Sequence, residues 1–201
     1  MLDPREWGRR IPNYSRATNA AYAELAQYDG KFPVIDIYGI ILASNDILLK
    51  SYEQAAQFLK CSHSVFTYNI SQSEYGFTVI RRDKSIIFYN NKKDEKTIRF
   101  TLAHELGHIR LGHTEDNSKS DKEANCFARN LLCPIPLVKG YKLASAKDYE
   151  ECFGISEPFA KAAFAHSSED LHYISEGNYQ AVDDKIYCYL NGCTMSELYG
   201  Y

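Results

Sequence analysis

Apolar residues crowd one stretch of the chain at helical spacing. Ile98, Phe100, Leu102, Ala103, Leu106, Ile109 and Leu111 cover nearly every side of a helix drawn through them. That pattern predicts a helix buried in the core. Downstream, Glu123-Ala124-Asn125-Cys126-Phe127-Ala128-Arg129-Asn130-Leu131-Leu132 reads as a second apolar helix that stops before Pro134. Upstream, Gly76–Arg81 and Ser85–Asn90 are rich in β-branched and aromatic residues and are joined by Arg82-Asp83-Lys84. They predict a β-hairpin leading straight into the first apolar helix, which is capped near Asn91 or Asp94. A helix over roughly Ser15–Tyr28 ends at Asp29-Gly30, and Ser51–Lys60 is a short amphipathic helix. Pro33–Ser44 is apolar throughout, and periodicity does not separate helix from strand there. The polar stretch 114–121 is a loop, and beyond Pro134-Ile135-Pro136 the chain continues as short helices.

The first apolar helix carries His104-Glu105-Leu106-Gly107-His108, an H-E-x-x-H pattern. Residues four apart share a helix face, so His104 and His108 can present two imidazole nitrogens to one metal ion. Glu105 is rotated off that face and can reach a metal-bound water as a general base without being a ligand. This is the arrangement of a zinc hydrolase. Two histidines and a glutamate on a buried helix need partners, and a metal supplies them. Gly107, a poor helix former, implies that something packs close to the backbone there.

Such a site requires a third protein ligand. The metzincin spacing fails for His113, because it would put Gly at 111 and His at 114, where the chain has Leu111 and Thr114. Glu115 and Asp116 lie too near the end of the helix to fold back easily. Glu123 shares a face with Phe127 and Leu131, so its carboxylate is expected to point inward. Ser120-x-x-Glu123 is equally a capping box, in which Glu123 would bond only the backbone. Spacing leaves these two readings open.

Composition narrows the setting. The chain has 201 residues, 45% of them hydrophobic, which suits one domain with a proper core and a small appendage. The formal charge of −3 offers no basic excess for nucleic-acid binding. The start shows no apolar signal region, and no run is long enough for a membrane span. Six cysteines without a C-x-x-C pair fit reduced thiols in the cytoplasm. Arg9 and Arg10 read as part of a solvated leader, and His63, alone in a Ser-rich connector, as exposed. His166 and His172 lie far from the motif and read as structural. Residues 141–201 carry four Lys against ten Asp plus Glu. An acidic face of that kind suits a basic partner.

Thr101-Leu102-Ala103-His104-Glu105-Leu106-Gly107-His108, followed by Glu123-Ala124-Asn125-x-Phe127-Ala128-x-x-Leu131-Leu132-x-Pro134, resembles the ImmA/IrrE family of metallo-endopeptidases. The resemblance covers roughly residues 75–135. It implies an α+β fold: a zincin-like metalloprotease core, with a small antiparallel sheet and active-site helices, and a mainly helical C-terminal part. The expected division is a core over 1–140 and an acidic helical subdomain over 141–201. The resemblance also favours a helix starting at Pro33, and it makes Glu123 the third ligand of a zinc ion (Zn2+) beside His104 and His108, with Glu105 as the catalytic base. Ala163-Phe164 stands where the family often has Arg-Leu. The implied substrate is a helix-turn-helix transcriptional repressor of a mobile element or stress response. Thirty residues ahead of Pro33 are too few for a DNA-binding domain of the chain's own, so no direct nucleic-acid contact is expected. An exposed hairpin edge could take a peptide as an added strand. Two other classes stay open. One is an anti-repressor that binds zinc and the repressor without cleaving it. The other is a zinc hydrolase acting on a non-peptide amide.

Overall fold

Capping residues mark where the helices begin as clearly as apolar spacing marks which faces they bury. The computed structural model describes residues 11–115 and 117–200. The leader with Arg9 and Arg10, and the loop carboxylate Asp116, lie outside the described residues. Helix α1 (Tyr14–Gln27) starts where the Asn13 side chain accepts the Arg16 N–H, and it buries Ala17, Thr18, Ala21, Tyr22 and Leu25. The apolar run after Pro33 is helical, but α2 spans only Ile37–Ala43, because Asp36 caps it by accepting the Gly39 N–H. Strand β1 (Ile47–Ser51) leads directly into α3 (Tyr52–Phe58), with Ser51 and Gln54 forming a capping box. A helical turn at His63–Val65 runs into a π-helical turn at Phe66–Ile70. His63, expected to be exposed, is half-buried there, with Nδ1 3.2 Å from Thr67 Oγ1.

Strands β2 (Gly76–Ile80) and β3 (Ser85–Tyr89) form the expected hairpin, with Thr78 opposite Ile87. The sheet holds a third strand that the sequence pattern did not reveal. β1 pairs in parallel with β3, so the strand order is β1-β3-β2 and the sheet is mixed rather than wholly antiparallel. Burial along β1 alternates, with Ile47 and Ser51 buried and Leu48 and Lys50 exposed, but the residues Ile47-Leu48-Leu49-Lys50-Ser51 do not alternate apolar with polar, so no strand period shows in the sequence. β2 is left at an edge.

Asp94 caps α4 (Glu95–Arg110) by accepting the Thr97 N–H. Leu102, Ala103 and Leu106 of this helix are fully buried, as the apolar pattern required. Asn117 caps α5 (Ser118–Leu132) by accepting the Lys119 and Ser120 N–H groups. The helix therefore begins ahead of Ser120, which removes the capping-box reading of Glu123. Helices α6 (Ile135–Gly140), α7 (Ala146–Phe153), α8 (Glu157–Tyr173), α9 (Glu176–Asn191) and α10 (Met195–Tyr199) complete the chain. The architecture is α+β, mainly helical with one small sheet, as a zincin-like domain requires. One hydrophobic cluster runs from Ala17 and Leu25 through Leu102, Leu106, Phe127 and Leu131 to Phe153, Val182 and Ile186. A second, smaller one gathers Tyr52, Ala55, Ala56 and Phe66 beside Phe77 and Phe88. Among the described residues no helix is long and apolar enough to cross a membrane.

Candidate functional site

The site depends on how closely α4 and α5 approach. A Cβ on Gly107 would lie 3.0 Å from Phe127 Cδ1 and 3.2 Å from the Ala124 Cα. Any side chain there would push the helices apart, so the glycine foreseen as a packing signal is the contact point. With the helices this close, His104 and His108 of α4 face Asp121 and Asn125 of α5, themselves one turn apart on a single face. The Nε2 atoms of His104 and His108 are 3.0 Å apart. Asp121 Oδ1 lies 3.7 Å from His108 Nε2 and 4.0 Å from His104 Nε2. These three atoms are the metal-binding set that stands out among the described residues.

The donor set fits zinc. Bond lengths of about 2.0–2.1 Å in a tetrahedron place ligand atoms roughly 3.3–3.4 Å apart, and the three separations here bracket that value. The outer nitrogens support the same reading. His104 Nδ1 is 2.9 Å from Asn125 Oδ1, a carbonyl oxygen that only accepts, so the ring hydrogen sits on Nδ1 and the Nε2 lone pair faces inward.

Glu123 goes elsewhere. It is buried, and its Oε2 is 2.9 Å from His113 Nε2 while its Oε1 accepts the Asn13 N–H at 2.7 Å. Burial works to raise this carboxyl, but the Asn13 N–H, His113 and Lys119 outweigh it and hold it below the ordinary carboxylate range. Of the third-ligand candidates named from the sequence, Glu123 and His113 thus pair with each other, and Glu115 lines the cavity beside the histidines. Asp121, which the sequence placed only in a polar loop, is the carboxylate that stands at the histidine pair.

Glu105 is buried beside this cluster, and Thr78 of β2 donates its hydroxyl hydrogen to Oε2 at 2.7 Å. Two hollows meet here. One, of about 770 Å³, has Tyr75, Phe100, Phe159 and Tyr173 in its walls. The other, of about 580 Å³, runs along Phe77, Thr78 and Ile80 of β2 to His108 and Asp121. Ser73, Gly76, His104 and Glu105 line both, so together they form one path past the carboxylate. His166 lies on the wall of the larger hollow and pairs with Glu169 at 3.1 Å, away from the ligand atoms.

A buried H-E-x-x-H helix, a carboxylate from the following helix and an open path alongside are the parts of a metallopeptidase-type site. The family model described as the IrrE N-terminal-like domain (Peptidase_M78) matches residues 61–170, and the chain belongs to that peptidase family. The match takes in both helices of the site and bears out the resemblance read from their motifs. A search of curated proteins finds no match.

Proposed function

We propose that the chain is a zinc-dependent endopeptidase, with His104, His108 and Asp121 as metal ligands and a helix-turn-helix transcriptional repressor as substrate. The observation that carries the catalytic part is the convergence of three ligand atoms within 4.8 Å of one another beside the buried carboxylate of Glu105. Zinc bound there supplies Lewis acidity, acidifying water to a pKa of about 7 and polarising a carbonyl. Glu105 takes the proton of the attacking water and passes it to the leaving amine. Thr78 orients that carboxylate through Oε2. The substrate backbone lies along the β2 edge, where an extended peptide can add as a further strand. The family and the acidic balance of residues 141–201, which complements a basic DNA-binding protein, support the repressor as the target.

Incubation with a helix-turn-helix repressor encoded beside the gene is expected to give one or two discrete fragments. These should vanish with Glu105→Gln while zinc content stays unchanged. A repressor that remains intact yet leaves its promoter would replace this reading with that of a binding anti-repressor. For the ligands, Asp121→Ala should cost more zinc affinity than the roughly 10–100-fold typical of changes behind the ligands. Full zinc retention in that variant, with loss in Glu123→Ala, would restore Glu123 as the third ligand.

A further inference from the structure

We infer that His113 and Glu123 form a positioning relay behind His108, fixing the imidazole tautomer that offers Nε2 to the metal. The inference rests on the metal reading above and goes beyond it, to two residues joined to the proposed ligand cluster at His108.

The backbone delivers His113 to this place. Helix α4 ends in a Schellman turn: Gly112 takes φ +60°, its N–H bonds the Ile109 carbonyl at 3.0 Å, and the His113 N–H bonds the His108 carbonyl at 3.0 Å. In this motif the residue after the turn lies against the one five positions earlier, usually as an apolar contact. Here both are imidazoles, with ring centroids 5.0 Å apart and planes at 77°. His113 Nδ1 is 3.1 Å from His108 Nδ1.

Donors and acceptors then follow in one direction. The Glu123 carboxylate only accepts, so His113 Nε2 carries the hydrogen in their 2.9 Å bond. In the relay the Nδ1 lone pair of His113 accepts from His108 Nδ1–H across their 3.1 Å contact. His108 Nε2 is thereby left as an acceptor facing His104 Nε2. The relay is rigid. The Glu123 and His113 side chains are 4% and 8% exposed, and the second Glu123 oxygen is pinned by the Asn13 N–H at 2.7 Å. Carboxylates behind metal-binding histidines orient them in the same way, and here an extra imidazole lengthens the connection.

The test is chelator competition for Zn2+ by the full chain, with folding checked by circular dichroism. His113→Leu should weaken zinc binding by roughly 10–100-fold. His113→Gln should recover most of that loss, because its carbonyl can accept from His108 while its amide donates to Glu123. Glu123→Leu should weaken binding alone but add nothing in the His113→Leu background. Unchanged affinity in His113→Leu overturns the relay, and so does an undiminished Glu123→Leu loss in that background, which would make Glu123 a ligand. Long-range proton–nitrogen NMR of the wild-type chain without metal is independent of any variant. His108 should carry its hydrogen on Nδ1, and an Nε2–H tautomer overturns the relay. Failure of the metal reading shows separately, as zinc affinity surviving His104→Ala.

Discussion

Glu105 and Thr78 meet across the gap between α4 and β2, and their hydrogen bond is a handle on the chemistry that leaves the metal alone. Thr78→Val keeps the shape of the side chain and removes the donor to Glu105 Oε2. A hydrogen bond to a charged group contributes about 1.5–3 kcal/mol. The expected result is a kcat lower by about tenfold or more, with zinc content and KM nearly unchanged; an unaltered kcat would show that Thr78 does not hold the base. The cysteines are handled by burial. The Cys126 thiol is pushed up to about 11, chiefly by burial, and burial also pushes up Cys133. Thr78 was invisible in the sequence because the pairing of β2 with α4 is long-range, whereas His104, Glu105 and His108 were legible because helical spacing alone sets their geometry. Asp121 fell between these cases. Its spacing from Asn125 could be read, but which side of α5 faces α4 depends on the contact at Gly107. Glu123 shares the inward side with Phe127, yet that side leads to His113 and Asn13 rather than to the histidine pair.

Helix ends and helix contacts decide where those side chains arrive. Gly112 and Gly192 both sit at helix C-termini, at φ +60° and +65°, and a Cβ on either would meet nothing within 4 Å. Replacing either by alanine therefore exposes the conformational cost alone, about 1–2 kcal/mol for a side chain in the left-handed region. Urea denaturation should show similar losses for Gly112→Ala and Gly192→Ala. Only Gly112→Ala should also weaken zinc binding, because only that turn carries His113 beneath His108. Equal zinc affinity in both variants would detach the turn from the site. At this scale the elements that local rules decide are legible in the sequence: the hairpin, α4 with its Asp94 cap, and α1 within a residue of its expected ends. Elements that a partner decides are not legible there, as for β1, which is a strand through pairing with β3.

The sequence placed a division near residue 140, where the chain turns acidic, but the buried contacts cross that point. Arg99 of α4 is buried and donates to the carbonyls of Phe153 at 2.9 Å, Gly154 at 2.7 Å and Ile35 at 3.2 Å. Arg129 of α5 pairs with both oxygens of Asp170, whose side chain is 3% exposed. Tyr149, Phe153, Val182 and Ile186 belong to the same apolar cluster as Leu102 and Phe127. A chain stopped after residue 140 would take the Asp170 carboxylate from Arg129, leave Arg99 only the Ile35 carbonyl of its three acceptors, and open that cluster to water. Removing one partner of a buried ion pair costs about 3–5 kcal/mol by itself, and a domain of this kind has only about 5–15 kcal/mol in total. The truncated chain is therefore expected not to fold and not to hold zinc at its full-length affinity. The intact protein should unfold in one transition, with α4 and α8 losing amide protection together in hydrogen exchange. Asp170→Asn, which keeps the shape and removes the charge, should lower the urea midpoint while leaving that transition single. A folded, zinc-binding fragment ending at residue 140 would establish the division instead, and would reduce the Arg99 and Arg129 contacts to an interface between two independent units.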